Sequence, residues 1–199
     1  SPTGSGFSKP YCYHIDQFES LRLVYMKVIE YSRAMGLDII QGDHEDAPGQ
    51  LDLNFNYDDV VRNADRFSTY RQICAQVARE FNLIACFLSK PFVGVSASGC
   101  HTNISLWKGG KDELIPCGNK TIPGMENVFH HRRGGTNVFM PDGKDRRIPG
   151  KIGLQAIGGV MEHLPALTAL GSSTVNSSRR LWDTGFWAPV YADWGYQNR

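Results

Sequence analysis

From Gly94 to Trp107 the chain sets a small-residue turn, Gly94-Val95-Ser96-Ala97-Ser98-Gly99, directly before a segment that alternates in character. His101, Asn103 and Ser105 recur at period two, while Cys100, Ile104 and Leu106 are mostly apolar. Side chains two apart share one face of a strand, so one face can be core and the other can hold a ligand. An antiparallel strand with one face in water has the same pattern. A second stretch, His44-Glu45-Asp46-Ala47-Pro48-Gly49-Gln50-Leu51-Asp52, places carboxylates at Glu45 and Asp52 around a Pro-Gly break. Positions seven apart face opposite ways in an unbroken strand, and the break frees Glu45 and Asp52 to converge. Carboxylate oxygens with one imidazole suit magnesium or manganese better than zinc. Ordinary strand-end charges remain the plain alternative.

These residues need elements to hold them. Residues 17–35 carry Phe18, Leu21, Tyr25, Val28 and Ile29 at helical spacing, with Gly36 as the stop. Strands are expected at Leu37–Gln41 and Leu51–Tyr57, then a helix capped by Asp58 with the stripe Val61, Ala64, Phe67, Ile73, Val77, Ala78 and Phe81. Asn82 suits its C-terminal cap, before a strand-sized apolar run from Leu83 to Leu88. A last helix, about Gly153 to Leu170, contains Pro165, which should kink or divide it. This order predicts one α+β domain, helices packed on a largely antiparallel sheet. Residues 108–150, rich in Gly, Pro and charge (Lys120, His130, His131, Arg132, Arg133, Arg146, Arg147), predict a long basic loop, better read as solvated than as a metal or phosphate site.

At 199 residues and net charge +1, the chain can build a real core and has no dominant electrostatic pull toward nucleic acid. No apolar run reaches membrane-spanning length. The five cysteines, Cys12, Cys74, Cys86, Cys100 and Cys117, form no paired motif and are expected to be reduced and buried, which implies an intracellular, cytoplasmic protein. The start, Ser1-Pro2-Thr3-Gly4, has neither an initiating methionine nor a signal core.

Together these stretches resemble the catalytic domain of the glutamine synthetase superfamily. His44 to Asp52 resembles its His-Glu-x-Ala-x-Gly-Gln-x-Glu signature, and Lys90-Pro91 through Trp107 its Lys-Pro…Gly-Ser-Gly-Met-His-x-His-x-Ser-Leu-Trp signature. Ala169-Leu170, Val175-Asn176-Ser177, Arg179-Arg180-Leu181, Ala188-Pro189-Val190 and Asn198-Arg199 follow the family's order of arginine-bearing segments. The resemblance covers most of the chain, from about the first helix to the last residue, apart from the long loop, and implies that residues 1–199 are part of such a catalytic domain. It implies that an upstream β-rich domain, an upstream strand with two metal-binding glutamates and a downstream Glu-x-Arg strand lie outside these residues, so the chain is expected to be a portion of an enzyme.

By motif position the resemblance implies that Glu45 and Asp52 bind one divalent cation, Mg2+ or Mn2+, and His101 another. Tyr57, Asn103 and Ser105 fall where ATP is contacted, Ser96 and Ala97 where the amino-acid substrate binds, and Arg180 and Arg199 where arginines meet glutamate or phosphate. Asp52 stands for a glutamate, Asn103 for a histidine, and Ser96-Ala97 for Asn-Gly. In ammonia-using members a flap glutamate precedes Ala-Pro; here Phe186-Trp187-Ala188-Pro189 supplies a tryptophan. An indole cannot accept a proton from ammonium but can wall a pocket for an alkyl- or arylamine. This points to the branch of γ-glutamylmethylamide synthetases, with glutamate and a small amine as substrates and Tyr11 or Tyr13 beside the amine. A large ring-shaped homo-oligomer, a dodecamer, is implied by the same resemblance. Two alternatives stand beside it: an ammonia-dependent glutamine synthetase, and a catalytically silent assembly protein.

Overall fold

In this computed structural model the described residues are 12, 13, 15–116, 128–182 and 192–195. The chain forms α1 (Ile15–Glu19), α2 (Arg22–Ala34), β1 (Ile39–His44), β2 (Leu51–Phe55), α3 (Val60–Glu80), β3 (Trp107–Lys108), β4 (Lys111–Pro116), β5 (Val128–Arg133), β6 (Thr136–Asn137), α4 (Lys151–Gly171) and α5 (Val175–Trp182). It divides into two compact units, 1–87 with 112–131, and 88–111 with 132–199. The α+β class holds, and among the described residues the strands form three two-stranded sheets, β1-β2, β3-β6 and β4-β5.

In the first unit, α2 ends where the sequence requires. Gly36 takes φ 77, and the Leu37 amide donates to Ser32 O at 2.9 Å, turning the buried Leu37 side chain into the core. Helix α3 ends the same way on Asn82 (φ 55), with Leu83 N donating to Ala78 O. Its N-cap is Asp59, which accepts from Val61 and Arg62, and not the expected Asp58. Asp58 is instead buried in an ion pair with Arg66 at 2.7 Å. Val28, Leu37, Ile73 and Val77 make the core, flanked by Leu53, Phe55, Tyr70 and Cys74.

The β1-β2 register decides what faces that core. Ile39 pairs with Phe55 but Gln41 with Asn54, so Ile40 is an extra residue in β1. The bulge puts Ile39, Gly42 and His44 on the face that carries Leu51, Leu53 and Phe55. Gln41 and Asp43 fall on the other face, with Asp52 and Asn54.

Several expectations change. Residues 17–35 hold two helices, α1 and α2, because the chain turns between them at Ser20-Leu21. Leu83–Leu88 is not a strand and Ile84 is 88% exposed. His101–Leu106 likewise forms no strand, with only Trp107 and Lys108 in β3 and Leu106 O accepting from Val138 N at 2.8 Å, and Ile104 and Leu106 lie exposed. An apolar strand face is buried only when strands beside it and a layer above it cover it, and neither segment has them among the described residues. Residues 108–150, expected as loop, contain β4, β5 and β6. Helix α4 runs through Pro165 undivided. Cys86 and Cys100 are exposed rather than buried, Cys12 and Cys74 are half-buried, and Cys117 lies outside the described residues. No helix among the described residues is long and apolar enough to cross a membrane.

Candidate functional site

The first unit builds an acidic face. Ala47-Pro48-Gly49-Gln50 closes the β1-β2 connection: Gly49 takes φ 74, Gln50 N donates to Ala47 O, and Glu45 N donates to Gln50 O at 2.9 Å. Asp43 lies directly opposite Asp52, and directly opposed residues of an antiparallel pair share a face. Glu45, two residues beyond Asp43, is diagonal to Asp52, so the hairpin brings the two motif carboxylates to one side. Burial, and next the Asp52 carboxylate, hold the Glu45 carboxyl above its ordinary range, with Asp43 and Asp46 adding to it. The nearby Cys12 thiol is pushed up by burial and then by Asp46 and Glu45.

Under the hairpin, Tyr25 of α2 fixes the strand that carries Asp52: its hydroxyl donates to Asp52 O at 3.1 Å. Gly42 makes room for that ring, because an added Cβ would stand 1.0 Å from the Tyr25 oxygen. Carboxylates set side by side, all oxygen donors, with the Glu45 carboxyl held above its ordinary range, have the chemistry a hard divalent cation relieves. No group of three or more His, Cys, Asp or Glu able to hold a metal occurs among the described residues.

The second unit builds a pinned loop. Residues 89–98 close on themselves through Ser98 N donating to Ser89 O at 2.9 Å, and the buried Lys90 sends its Nζ across the loop to Val95 O at 2.7 Å. Gly94 turns the loop at φ 78. Ser96 is buried and Ala97 half-buried on it. Arg180 of α5 donates from Nε to Ser98 O at 3.0 Å. A Cβ on Gly99 would lie 3.3 Å from His101 Nε2 and 3.7 Å from Arg180 Nη2, so glycine there leaves the imidazole and guanidinium facing one small space.

Of the other expected residues, Tyr57 in the first unit and Asn103 and Ser105 in the second are exposed, and Ser105 Oγ accepts from Trp107 Nε1 at 3.0 Å. Tyr13 is exposed, with its amide donating to His44 O. Tyr11, Trp187 and Arg199 lie outside the described residues. Sequence reasoning assigned no role to Asp43, whose place follows from the hairpin once its register is known. It named Asn176 only within the Val175-Asn176-Ser177 segment and gave it no role.

A family model described as glutamine synthetase, catalytic domain, matches residues 3–135 and 129–199. A glutamine synthetase of Halobacterium salinarum is 36% identical over 173 residues, 87% of this chain and 32% of that protein. A glutamate–methylamine ligase of Methyloversatilis universalis is 29% identical over 201 residues, 98% of this chain and 40% of the ligase. A ligand-free structure of GmaS superposes with a TM-score of 0.69 at 29% identity, over 91% of this chain and 38% of that one. The chain spans 32% to 43% of the length of the first curated relatives it matches.

Proposed function

Because the chain belongs to the glutamine synthetase catalytic-domain family, we propose that its protein is an ATP-dependent ligase that joins the γ-carboxylate of glutamate to an alkyl- or arylamine. The observation that carries the reading is the acidic face of the β1-β2 hairpin, where Glu45 and Asp52 crowd each other on one side. Such a face costs stability unless a cation or proton offsets it. Glu45 and Asp52 would hold one Mg2+ or Mn2+, and His101 a second. The cations, when bound, neutralise the charge of a triphosphate set beside a carboxylate.

The chain's own residues do the rest. Arg180 and Arg199 bind the glutamate carboxylate or the transferred phosphoryl group, Ser96 and Ala97 line the amino-acid site, and Tyr57, Asn103 and Ser105 contact the nucleotide. A γ-carboxylate oxygen attacks the γ-phosphorus of ATP and ADP leaves. The amine nitrogen then attacks the acyl carbon of γ-glutamyl phosphate, loses a proton, and phosphate departs with the former carboxylate oxygen. Trp187, with Tyr11 or Tyr13, walls the amine site. A cytoplasmic ring-shaped homo-oligomer accompanies this reading.

A second reading, ammonia-dependent glutamine synthetase, is favoured by relatives of that name at 32% and 36% identity, against 29% for the methylamine ligase. Phosphate release by the full-length protein with glutamate, ATP and magnesium, compared among ammonia, methylamine, isopropylamine and aniline, tests both. The amine-ligase reading expects an organic amine to outpace ammonia, and preference for ammonia rejects it. No turnover with any nucleophile supports a silent assembly protein.

A further inference from the structure

Helix α5 meets the 89–98 loop at three successive places. Thr174 starts it, its hydroxyl accepting from Ser177 N at 3.1 Å as an N-terminal cap. At the first contact, Asn176 grips the main chain of Lys90 from both sides: its Oδ1 accepts from Lys90 N and its Nδ2 donates to Lys90 O, each at 2.7 Å. At the second, the buried Ser177 hydroxyl shares a 3.1 Å hydrogen bond with Ser89. The third is Arg180, one turn beyond Asn176, holding Ser98 O through Nε. Asn176 and Arg180 are thus i and i+4 on one helix face, and they fasten the two ends of one loop.

We propose that Asn176 is a positioning residue for glutamate binding. This rests on the reading of Ser96, Ala97 and Arg180 as parts of the amino-acid site. An isolated arginine has many rotamers, and Arg180 is directed only because Ser98 O occupies its Nε. Ser98 O is in turn fixed only while the loop is closed at Ser89-Lys90. A side-chain amide that satisfies both the N–H and the C=O of one residue is a two-point clamp, and only Asn or Gln can make it. Gln would be a methylene too long for the present spacing. Lys90 supports the same loop from inside through Val95 O, so the clamp and the lysine together set Ser96 and Ala97 between two anchored ends.

The test compares Asn176→Ala and Asn176→Asp with wild type in the full-length protein, reading glutamate and ATP KM, kcat, and hydrogen exchange at the Ser98 amide. Asn176→Ala removes both clamp hydrogen bonds and should raise the glutamate KM about tenfold, leave the ATP KM within about twofold, and speed Ser98 exchange about tenfold. Asn176→Asp keeps the acceptor for Lys90 N and loses the donor to Lys90 O, so it should fall between, at about threefold. It also serves if the alanine variant does not fold. An unchanged glutamate KM overturns the proposal, as does a rise shared equally by ATP. Unchanged Ser98 exchange overturns it even in a protein without turnover. Wild-type protein lacking glutamate-dependent turnover refutes the functional reading instead.

Discussion

Replacing Gly42 by alanine should damage the hairpin that presents Glu45 and Asp52, and the size of the damage can be worked out. Gly42 has no left-handed φ, so the cost is one of space alone. The new Cβ would stand 1.0 Å from Tyr25 Oη, 2.3 Å from its Cζ and 2.9 Å from Asp52 O. The last of these is backbone, so the ring must yield. Tyr25 is 5% exposed, so it has nowhere to go without breaking its bond to Asp52 O and its edge contact with Phe18, whose ring centre is 5.0 Å away. The hydrogen bond is worth about 1 kcal/mol, the ring pair about 0.5–1 kcal/mol, and overpacking about 1–2 kcal/mol. A loss of about 3 kcal/mol should lower Tm by roughly 6–12 °C for a chain of this size.

Thermal and urea unfolding of Gly42→Ala, Tyr25→Leu and the double variant measure this. Leucine removes the Tyr25 oxygen and Cζ and leaves only the 2.9 Å approach to Asp52 O, so the alanine should cost no more than about 1 kcal/mol on that background, a coupling of about 2 kcal/mol. Equal costs on both backgrounds, or a Gly42→Ala protein as stable as wild type, refute the packing argument.

Three further outcomes follow from two residues. Trp187→Glu supplies a proton acceptor and should shift selectivity toward ammonia and away from bulky amines, read as the ratio of kcat/KM values; an unchanged ratio removes Trp187 from the selectivity site. Burial pushes the Cys74 thiol up to about 11, so peptide mapping after iodoacetamide at about pH 8 should find it modified at least ~100-fold more slowly than the exposed Cys86 and Cys100. Because the folded state keeps the Cys74 proton longer than the unfolded one, its contribution to stability is intact below the unfolded value of about 8.5 and falls as pH rises toward 11. Cys74→Val should flatten that part of the Tm profile, and a profile unaltered by the substitution contradicts the assignment.

The acidic site was legible because its logic is local. Pro48-Gly49 between two extended runs makes a hairpin, and a hairpin can bring Glu45 and Asp52 to one side; the register, with Asp43 opposite Asp52, is what does so. The caps at Gly36 and Asn82 were legible for the same reason: a left-handed residue at a helix end is written in a few neighbouring positions. The bulge at Ile40 was not, since Ile39-Ile40 reads as an ordinary apolar pair and only pairing with β2 reveals the extra residue. The run Leu83–Leu88 misled because hydrophobicity reports a preference for burial, while a strand also needs a partner far away in sequence. The contact of Asn176 with Lys90 was invisible for a related reason. Its clamp joins residues 86 positions apart, and nothing in the local spacing of either segment encodes the match.

The central claim, that ATP activates the glutamate γ-carboxylate before a nitrogen nucleophile captures it, is tested most directly by following one oxygen. Full-length protein is given glutamate labelled with 18O in the γ-carboxylate, together with ATP, magnesium and methylamine, and the released phosphate and amide are weighed by mass spectrometry. The account predicts one labelled oxygen in phosphate for each γ-glutamylmethylamide formed. Amide formation with unlabelled phosphate would contradict it.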